Sequence, residues 1–267
     1  MDEKNTVAVG KVILAGAGPG DAELITLKLQ KRLAIADVII CDRLVNPEII
    51  ALFAKKDVVV IGAGKQGYNE ASKTQDEINQ LIVDNALKGL TVLRLKGGDV
   101  AFFSNVLDEL YSLKSNGIPF EIIPGITAAA GASAYTGIPL TARGFSQGVQ
   151  WVTFNPSAVH PPEKWKYLVE SNDTLVFYMA SKNVIFLSGL LLQYAAHKDL
   201  PLAIVEQATT PYQKINITSL KNCAVDFKDR EFSSPSLVIV GEVINLHHQF
   251  KWFEGEESGS IFKELAK

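Results

Sequence analysis

The residues of this chain whose types and spacing could do chemistry sit in three short glycine loops. They are Ala15-Gly16-Ala17-Gly18-Pro19-Gly20-Asp21, Gly97-Gly98-Asp99 and Pro124-Gly125-Ile126-Thr127. Each directly follows an apolar β-type run: Val12-Ile13-Leu14, then Thr91–Lys96, then Phe120–Ile123. Glycine has no Cβ, so main chain at such a loop can approach a ligand closely. Open α/β sheets bind ligands outside the carboxyl ends of their strands. The three loops therefore predict one site floored by main chain and suited to a polar small molecule. Asp42 and Lys65 stand at the ends of two further β-type runs, Val38–Cys41 and Val58–Ile61. Loops on a rigid scaffold are where binding and catalytic groups concentrate.

Two strings invite a nucleotide reading and fail it. Gly16-Ala-Gly18-Pro-Gly20-Asp21 has the wrong spacing for G-x-G-x-x-G, which needs glycine where Asp21 stands. Pro19 also lacks the N–H that a pyrophosphate would use, and Asp21 would repel it. Gly62-Ala-Gly64-Lys-Gln-Gly67 fits the spacing, but Tyr68–Lys73 is polar where a Rossmann helix should begin. An NAD-dependent dehydrogenase is therefore a distant alternative. His160, His197, His247 and His248 show no metal or triad spacing, and Cys41 and Cys223 form no metal-ligand pattern.

The elements that must position these loops follow from hydrophobic periodicity. The first half alternates strands and helices: Val12–Ala15, a helix over Ala22–Ala36 behind an Asp21 cap, Val38–Cys41, and a helix from Asn46-Pro47-Glu48 through Phe53. Val58–Ile61 comes next. Thr74 and Glu77 then form a T-x-x-E capping box before the apolar face Ile78, Leu81, Ile82 and Ala86, with Gly89 as the stop. Val92–Leu95, a helix over Phe103–Ser115, Phe120–Ile123 and an alanine-rich helix over Ala128–Tyr135 complete the alternation, which predicts a parallel sheet. The second half has β-type runs at Gln150–Phe154, Thr174–Met179, Leu202–Val205, Lys214–Ser219 and Ser236–Val240. The last two are not separated by long helices, so the second sheet should be mixed. The expected organisation is a first α/β domain over 8–137, a linker over 138–147, a second α/β domain over 148–247 and a loosely held tail over 248–267.

Composition excludes several classes. With 267 residues, 47% hydrophobic and 21% charged, the chain can build its cores without disulfides or metals. A net charge of −3 gives no general pull toward nucleic acid. No apolar run reaches the roughly 20 residues that span a bilayer. The polar, acidic start Met1–Thr6 does not read as a signal peptide, so a cytoplasmic setting is expected.

The ordered strings Gly16–Asp21, Asp42-Arg-Leu-Val45, Gly64-Lys65, Arg94-Leu-Lys-Gly-Gly-Asp99, Pro124–Thr127 and Gly137-Ile-Pro-Leu-Thr141 resemble the uroporphyrinogen-III C-methyltransferases, within the wider tetrapyrrole methylases. Tyr178-Met179, Val205-Glu206 and Ser234–Leu237 extend the likeness to about residue 245. The resemblance implies two α/β domains, a homodimer and S-adenosylmethionine (SAM) bound in the cleft between the domains. It implies transfer of two methyl groups, to C2 and C7 of uroporphyrinogen III, giving precorrin-2 for sirohaem or cobalamin, with S-adenosylhomocysteine as by-product. It assigns SAM contacts to Pro19, Gly97, Gly98, Asp99, Phe102, Thr127, Ala128, Met179 and Ala208. It makes Asp42 the proton acceptor and Lys65 the proton donor. The substrate carries eight carboxylates, for which Arg43, Lys96 and Arg143 are the expected partners, with Lys65 and Arg94 beside them. A later precorrin is the alternative substrate, and a non-catalytic SAM-binding protein the third class. The segment Val100–Glu109 departs from the family pattern, with Asn105 in place of arginine and Val106 and Leu107 in place of two glycines.

Overall fold

The computed structural model describes residues 8–63, 73–255 and 258–262. The chain forms two compact units, Met1–Thr127 with Ser260–Lys267, and Ala128–Gly259.

The first unit is built on β1 (Val12–Gly16), α1 (Leu27–Leu33), β2 (Val38–Cys41), α2 (Pro47–Phe53), β3 (Val59–Gly62), α3 (Gln75–Leu87), β4 (Val92–Lys96), α4 (Val106–Ser115) and β5 (Phe120–Ile123). Its five strands are all parallel, in the order β3-β2-β4-β1-β5. β1 and β2 are apolar almost throughout because both sheet faces are covered, and β4 is apolar but for Arg94 and Lys96. Alternate residues serve opposite faces. Ile13, Ile39 and Leu93 pack with Leu29 and Leu33 of α1 and Ile49 of α2. Leu14, Ile40 and Val92 pack with Ile78 and Ile82 of α3 and Leu113 of α4.

Two helices begin later than their sequence suggests. The expected helix over Ala22–Ala36 is a single 3₁₀ turn at Ala22–Leu24 followed by α1. Asp21 caps the turn through the Glu23 N–H at 2.8 Å, and Thr26 then starts α1 by accepting the Leu29 N–H at 3.1 Å. α4 starts at Val106 rather than Phe103, because Phe103 and Asn105 are both left-handed, at φ 55° and 54°. The capping box at Thr74 forms as the spacing predicts.

The second unit comprises α5 (Ala128–Thr136), β6 (Val149–Thr153), α6 (Pro162–Glu170), β7 (Thr174–Tyr178), α7 (Val184–Leu192), β8 (Pro201–Glu206), β9 (Lys214–Ser219), α8 (Cys223–Asp226), β10 (Ser236–Val240) and α9 (His247–Phe250). Its sheet runs β6-β7-β10-β8-β9; β6 and β7 are parallel and the remaining pairs antiparallel. One face packs Leu175, Phe177 and Ile204 against Trp165 of α6 and Leu187 of α7. The other packs Val176, Ala203 and Ile239 against Ala129 and Ala132 of α5. That contact is why α5 belongs to this unit, although the alternation of strands and helices places it with the first. The stretch from Ile138, read as a linker, is also packed here: Ile138 is fully buried among the same residues. The described part of the expected tail is held too. Trp252 donates its ring N–H to the Ala134 carbonyl at 2.8 Å, and Phe253 lies edge-on to Tyr135.

Candidate active site

The first sheet has a point where its connections part. The chain leaves β1 toward β2 over the face covered by α1, and leaves β4 toward β5 over the face covered by α4. β1 and β4 are neighbours, so their following loops diverge at adjacent strand ends, where ligands bind in open α/β sheets. Those loops are the first two glycine segments. They are joined by main chain: the Gly18 N–H donates to the Gly98 carbonyl at 3.1 Å and the Gly98 N–H to the Gly18 carbonyl at 2.7 Å. Asp99 ties in the third loop. One carboxylate oxygen accepts the Ala101 N–H and the other the Gly125 N–H, each at 2.7 Å. Asn46 adds the loop after β2, donating to the Gly20 carbonyl at 2.8 Å. Four loops thus form one continuous edge.

Two of the glycines on this edge let the loops pack on one another. A Cβ on Gly16 would lie 2.5 Å from the Gly98 oxygen and 2.8 Å from the Gly125 nitrogen. A Cβ on Gly125 would strike the same Gly98 oxygen. At these two positions the missing side chain lets loop approach loop. Gly98 itself sits at φ +68°, a conformation that costs other residues about 1–2 kcal/mol.

Behind this edge lies a buried set of charges. β4 reads Val92-Leu93-Arg94-Leu95-Lys96, and alternation puts Arg94 and Lys96 on the α4 face. Asp42, two residues beyond Ile40, falls on that face as well. Arg94 donates Nη2 to Asp42 at 2.5 Å and Nε to Glu109 at 2.8 Å. Its Nη1 reaches the Ile40 and Leu95 carbonyls, each at 3.3 Å. Lys96 donates to the same Glu109 oxygen at 2.8 Å. The side chains of Arg94, Lys96 and Glu109 are essentially buried, whereas that of Asp42 is 33% exposed. Burial opposes the Arg94 charge, but Asp42 and Glu109 outweigh it and hold the guanidinium above its ordinary pKa. Burial and the neighbouring Arg94 push the Lys96 ammonium below its ordinary value, with Glu109 offsetting part of that. The arrangement presents one carboxylate at this loop-built edge, clamped from behind by a permanent cation.

The candidate residues divide between the units. Pro19, Asp42, Arg43, Gly97, Gly98, Asp99, Phe102 and Thr127 lie on or beside the four loops of the first; Arg43 and Phe102 are exposed, Pro19 and Thr127 buried. Lys96 lies below that edge. At 2% exposure, with its ammonium on Glu109, it is a core partner rather than a surface contact for substrate carboxylates. Lys65 and the Gly64–Gly67 part of the apparent nucleotide motif lie outside the described residues.

In the second unit Met179 follows β7 and Ala208 follows β8. These strands run the same way, each being antiparallel to β10, so both residues stand at one sheet end. Ala128 begins α5, which is tied to that end by the Ala129 N–H donating to the Tyr178 hydroxyl at 3.1 Å. Met179, Gln207 and Thr209 are all left-handed, at φ 59°, 45° and 70°. Strained backbone of this kind gathers at ligand sites. Arg143 is exposed in the turn closed by the Phe145 N–H on the Ala142 carbonyl.

Glu109 is the site residue that motif reading missed, although its signal was present. It occupies the inner face of α4 with Val106 and Leu113, at i, i+3 and i+7 spacing, where an apolar residue belongs. Two cations in a buried central strand require a buried carboxylate, and Glu109 supplies it.

Comparison with known proteins places the chain in a family. The model of the tetrapyrrole (corrin/porphyrin) methylases matches residues 11–224. A siroheme synthase of Vesicomyosocius okutanii is 42% identical over 258 residues, which is 96% of this chain and 55% of that protein. The chain spans about half the length of the curated relatives it matches. A uroporphyrin-III C-methyltransferase of Thermus thermophilus, solved in complex with S-adenosylhomocysteine, is 32% identical with a TM-score of 0.73, covering 89% of this chain and 94% of that one. A cobalt precorrin-4 methyltransferase is 26% identical with a TM-score of 0.78, covering 88% and 95%. Among the described residues no helix is long and apolar enough to cross a membrane. With its strand order, its loop-built sheet edge and a family match over most of its length, this chain belongs to the tetrapyrrole methylases.

Proposed function

We propose that this chain is a SAM-dependent C-methyltransferase that converts uroporphyrinogen III to precorrin-2 by methylation at C2 and C7, acting as a homodimer. The observation that carries the proposal is the partly exposed Asp42 carboxylate, held by buried Arg94 at the parting of β1 and β4. The Thermus enzyme and the siroheme synthase relative support the choice of substrate.

The residues present fit SAM. The first unit offers a main-chain edge knit by Gly18, Gly98 and Asp99, and the second offers three strained non-glycine residues around Ala208 and Met179. The Gln207 side-chain oxygen beside Ala208 is buried without a partner. Pro19, Gly97, Gly98, Asp99, Phe102 and Thr127 in the first unit, and Ala128, Met179 and Ala208 in the second, are proposed to contact SAM. When bound, SAM supplies a methyl group already activated on a sulfonium. The protein's part is then chiefly to place the porphyrinogen carbon in line with it. Asp42 stabilises the positive charge that the ring gains and accepts the proton it releases. Arg43 and Arg143 are proposed to pair with substrate carboxylates, where guanidinium geometry favours bidentate contact. Lys65 keeps the proton-donor role that the resemblance gives it.

The test is turnover of Asp42→Asn beside wild type, with SAM and enzymatically generated uroporphyrinogen III under anaerobic conditions. Turnover is expected to fall about a hundredfold or more while calorimetric SAM affinity holds. Unchanged turnover removes Asp42 from the chemistry. The similarity to a cobalt precorrin-4 methyltransferase supports a second reading, a later precorrin as substrate. Methylation of such a precorrin but not of uroporphyrinogen III would favour it.

A further inference from the structure

We infer that Glu109, which stands behind Arg94 away from the exposed face of Asp42, is a positioning residue for the reaction: acting through Arg94, it fixes the carboxylate that takes the proton. This rests on the role proposed above for Asp42. The geometry behind it is a chain of two contacts that ends at an exposed carboxylate. Glu109 accepts Arg94 Nε at 2.8 Å, Arg94 Nη2 reaches Asp42 at 2.5 Å, and Asp42 alone of the set is exposed. A guanidinium is planar and rigid, so fixing Nε on one side sets where Nη2 points on the other. The two carbonyls at Nη1 are more distant, at 3.3 Å, and leave Glu109 as the closer constraint.

Lys96 completes the device. Two carboxylates flanking one arginine would leave the buried set with an excess negative charge. Lys96, bound to the same Glu109 oxygen, brings the four charges to balance. Glu109 can then hold Arg94 without drawing the guanidinium away from Asp42. Lys96 therefore acts on the reaction from below the site, and its ammonium is not a ligand for substrate carboxylates. The second Glu109 oxygen is buried without a partner, so the whole of this side chain's bonding is given to the two cations.

The test separates position from charge and from folding. Lys96→Met/Glu109→Met removes both charges and the acceptor for Arg94 Nε. Lys96→Met/Glu109→Gln removes both charges but keeps an acceptor oxygen. Each is compared with wild type and with Asp42→Asn, for kcat and KM toward uroporphyrinogen III, SAM affinity and Tm. The Met pair is expected to lower kcat by about ten- to a hundredfold with KM and SAM affinity held, and the Gln pair to recover most of that loss. In an Asp42→Asn background the Met pair should add nothing, because coupled residues are non-additive. A Met pair with wild-type kcat overturns the inference. So does a loss of equal size in the Asp42→Asn background, which would mark Glu109 as merely structural. Should the Met pair not fold, Glu109→Asp with native Lys96 takes its place, since it keeps the charge but shortens the reach, and the same pattern is expected. A wild type that transfers no methyl to uroporphyrinogen III, or an Asp42→Asn variant at full turnover, overturns the functional reading first and this inference with it.

Discussion

Arg94 has four acceptors, of which Asp42 is the exposed one. That asymmetry makes a buried strand residue matter at a surface edge. The glycines of the edge act in a similarly indirect way. Gly125 has no left-handed φ, so alanine there meets only a steric barrier, the Gly98 carbonyl oxygen and the Gly16 main chain. Gly117, at φ +63° with open space around it, meets only a conformational one. Gly125→Ala is expected to cost about 1–3 kcal/mol of unfolding free energy and to weaken SAM binding, as overpacking shifts the loops. Gly117→Ala should cost about 1 kcal/mol and leave SAM binding alone. Denaturant unfolding and calorimetry on both read this directly; equal SAM affinity in the two variants would mean the interlocked loops are not part of the SAM site. At this scale the sequence marked these glycines but not what they pack against. Gly16, Gly98 and Gly125 lie far apart in the chain, and only the fold reveals that they meet one another.

Elements were legible where local chemistry was decisive. The Thr74 capping box and the Asn46-Pro47 helix start rest on residues adjacent in sequence and form as expected, while strands such as β3, β6 and β8 are shifted or extended by a residue. The exceptions are also physical. Thr26 restarts a helix that periodicity alone would run through, and left-handed Phe103 and Asn105 delay α4 in the segment that departs from the family pattern. A further element-scale feature gives a pH dependence. Glu121 on edge strand β5 is held by Lys11 before β1 and by Lys28 and Arg32 of α1, at 2.8, 2.7 and 3.0 Å. Hydrogen bonds from these cations, Arg32 first, hold its pKa well below the ordinary 4.5. A depressed carboxylate stabilises the fold above its unfolded pKa, and that contribution is lost as pH falls through the folded value. The Tm difference between wild type and Glu121→Gln should therefore be full above about pH 5 and shrink as the solution is acidified. A difference that does not change with pH would mean the pairs contribute packing rather than charge.

For the whole molecule, class and order of elements followed from the sequence, while membership of units did not. An alanine-rich helix after β5 fits either sheet by its periodicity. Only the packing of Ala129 and Ala132 on Val176, Ala203 and Ile239 assigns it to the second unit. The buried charges were half visible. Arg94 and Lys96 stand out in an otherwise apolar strand, yet their partner Glu109 lies in a helix within a segment that departs from the family pattern. The parallel sheet, the parted loops and the carboxylate on its buried arginine are what the proposal of methyl transfer to a tetrapyrrole rests on. The measurement that tests this most directly is anaerobic incubation of the wild-type chain with SAM and uroporphyrinogen III, with the product followed by mass. Two added methyl groups are the expected result. A chain that binds SAM and leaves uroporphyrinogen III unmethylated would contradict the proposed reaction.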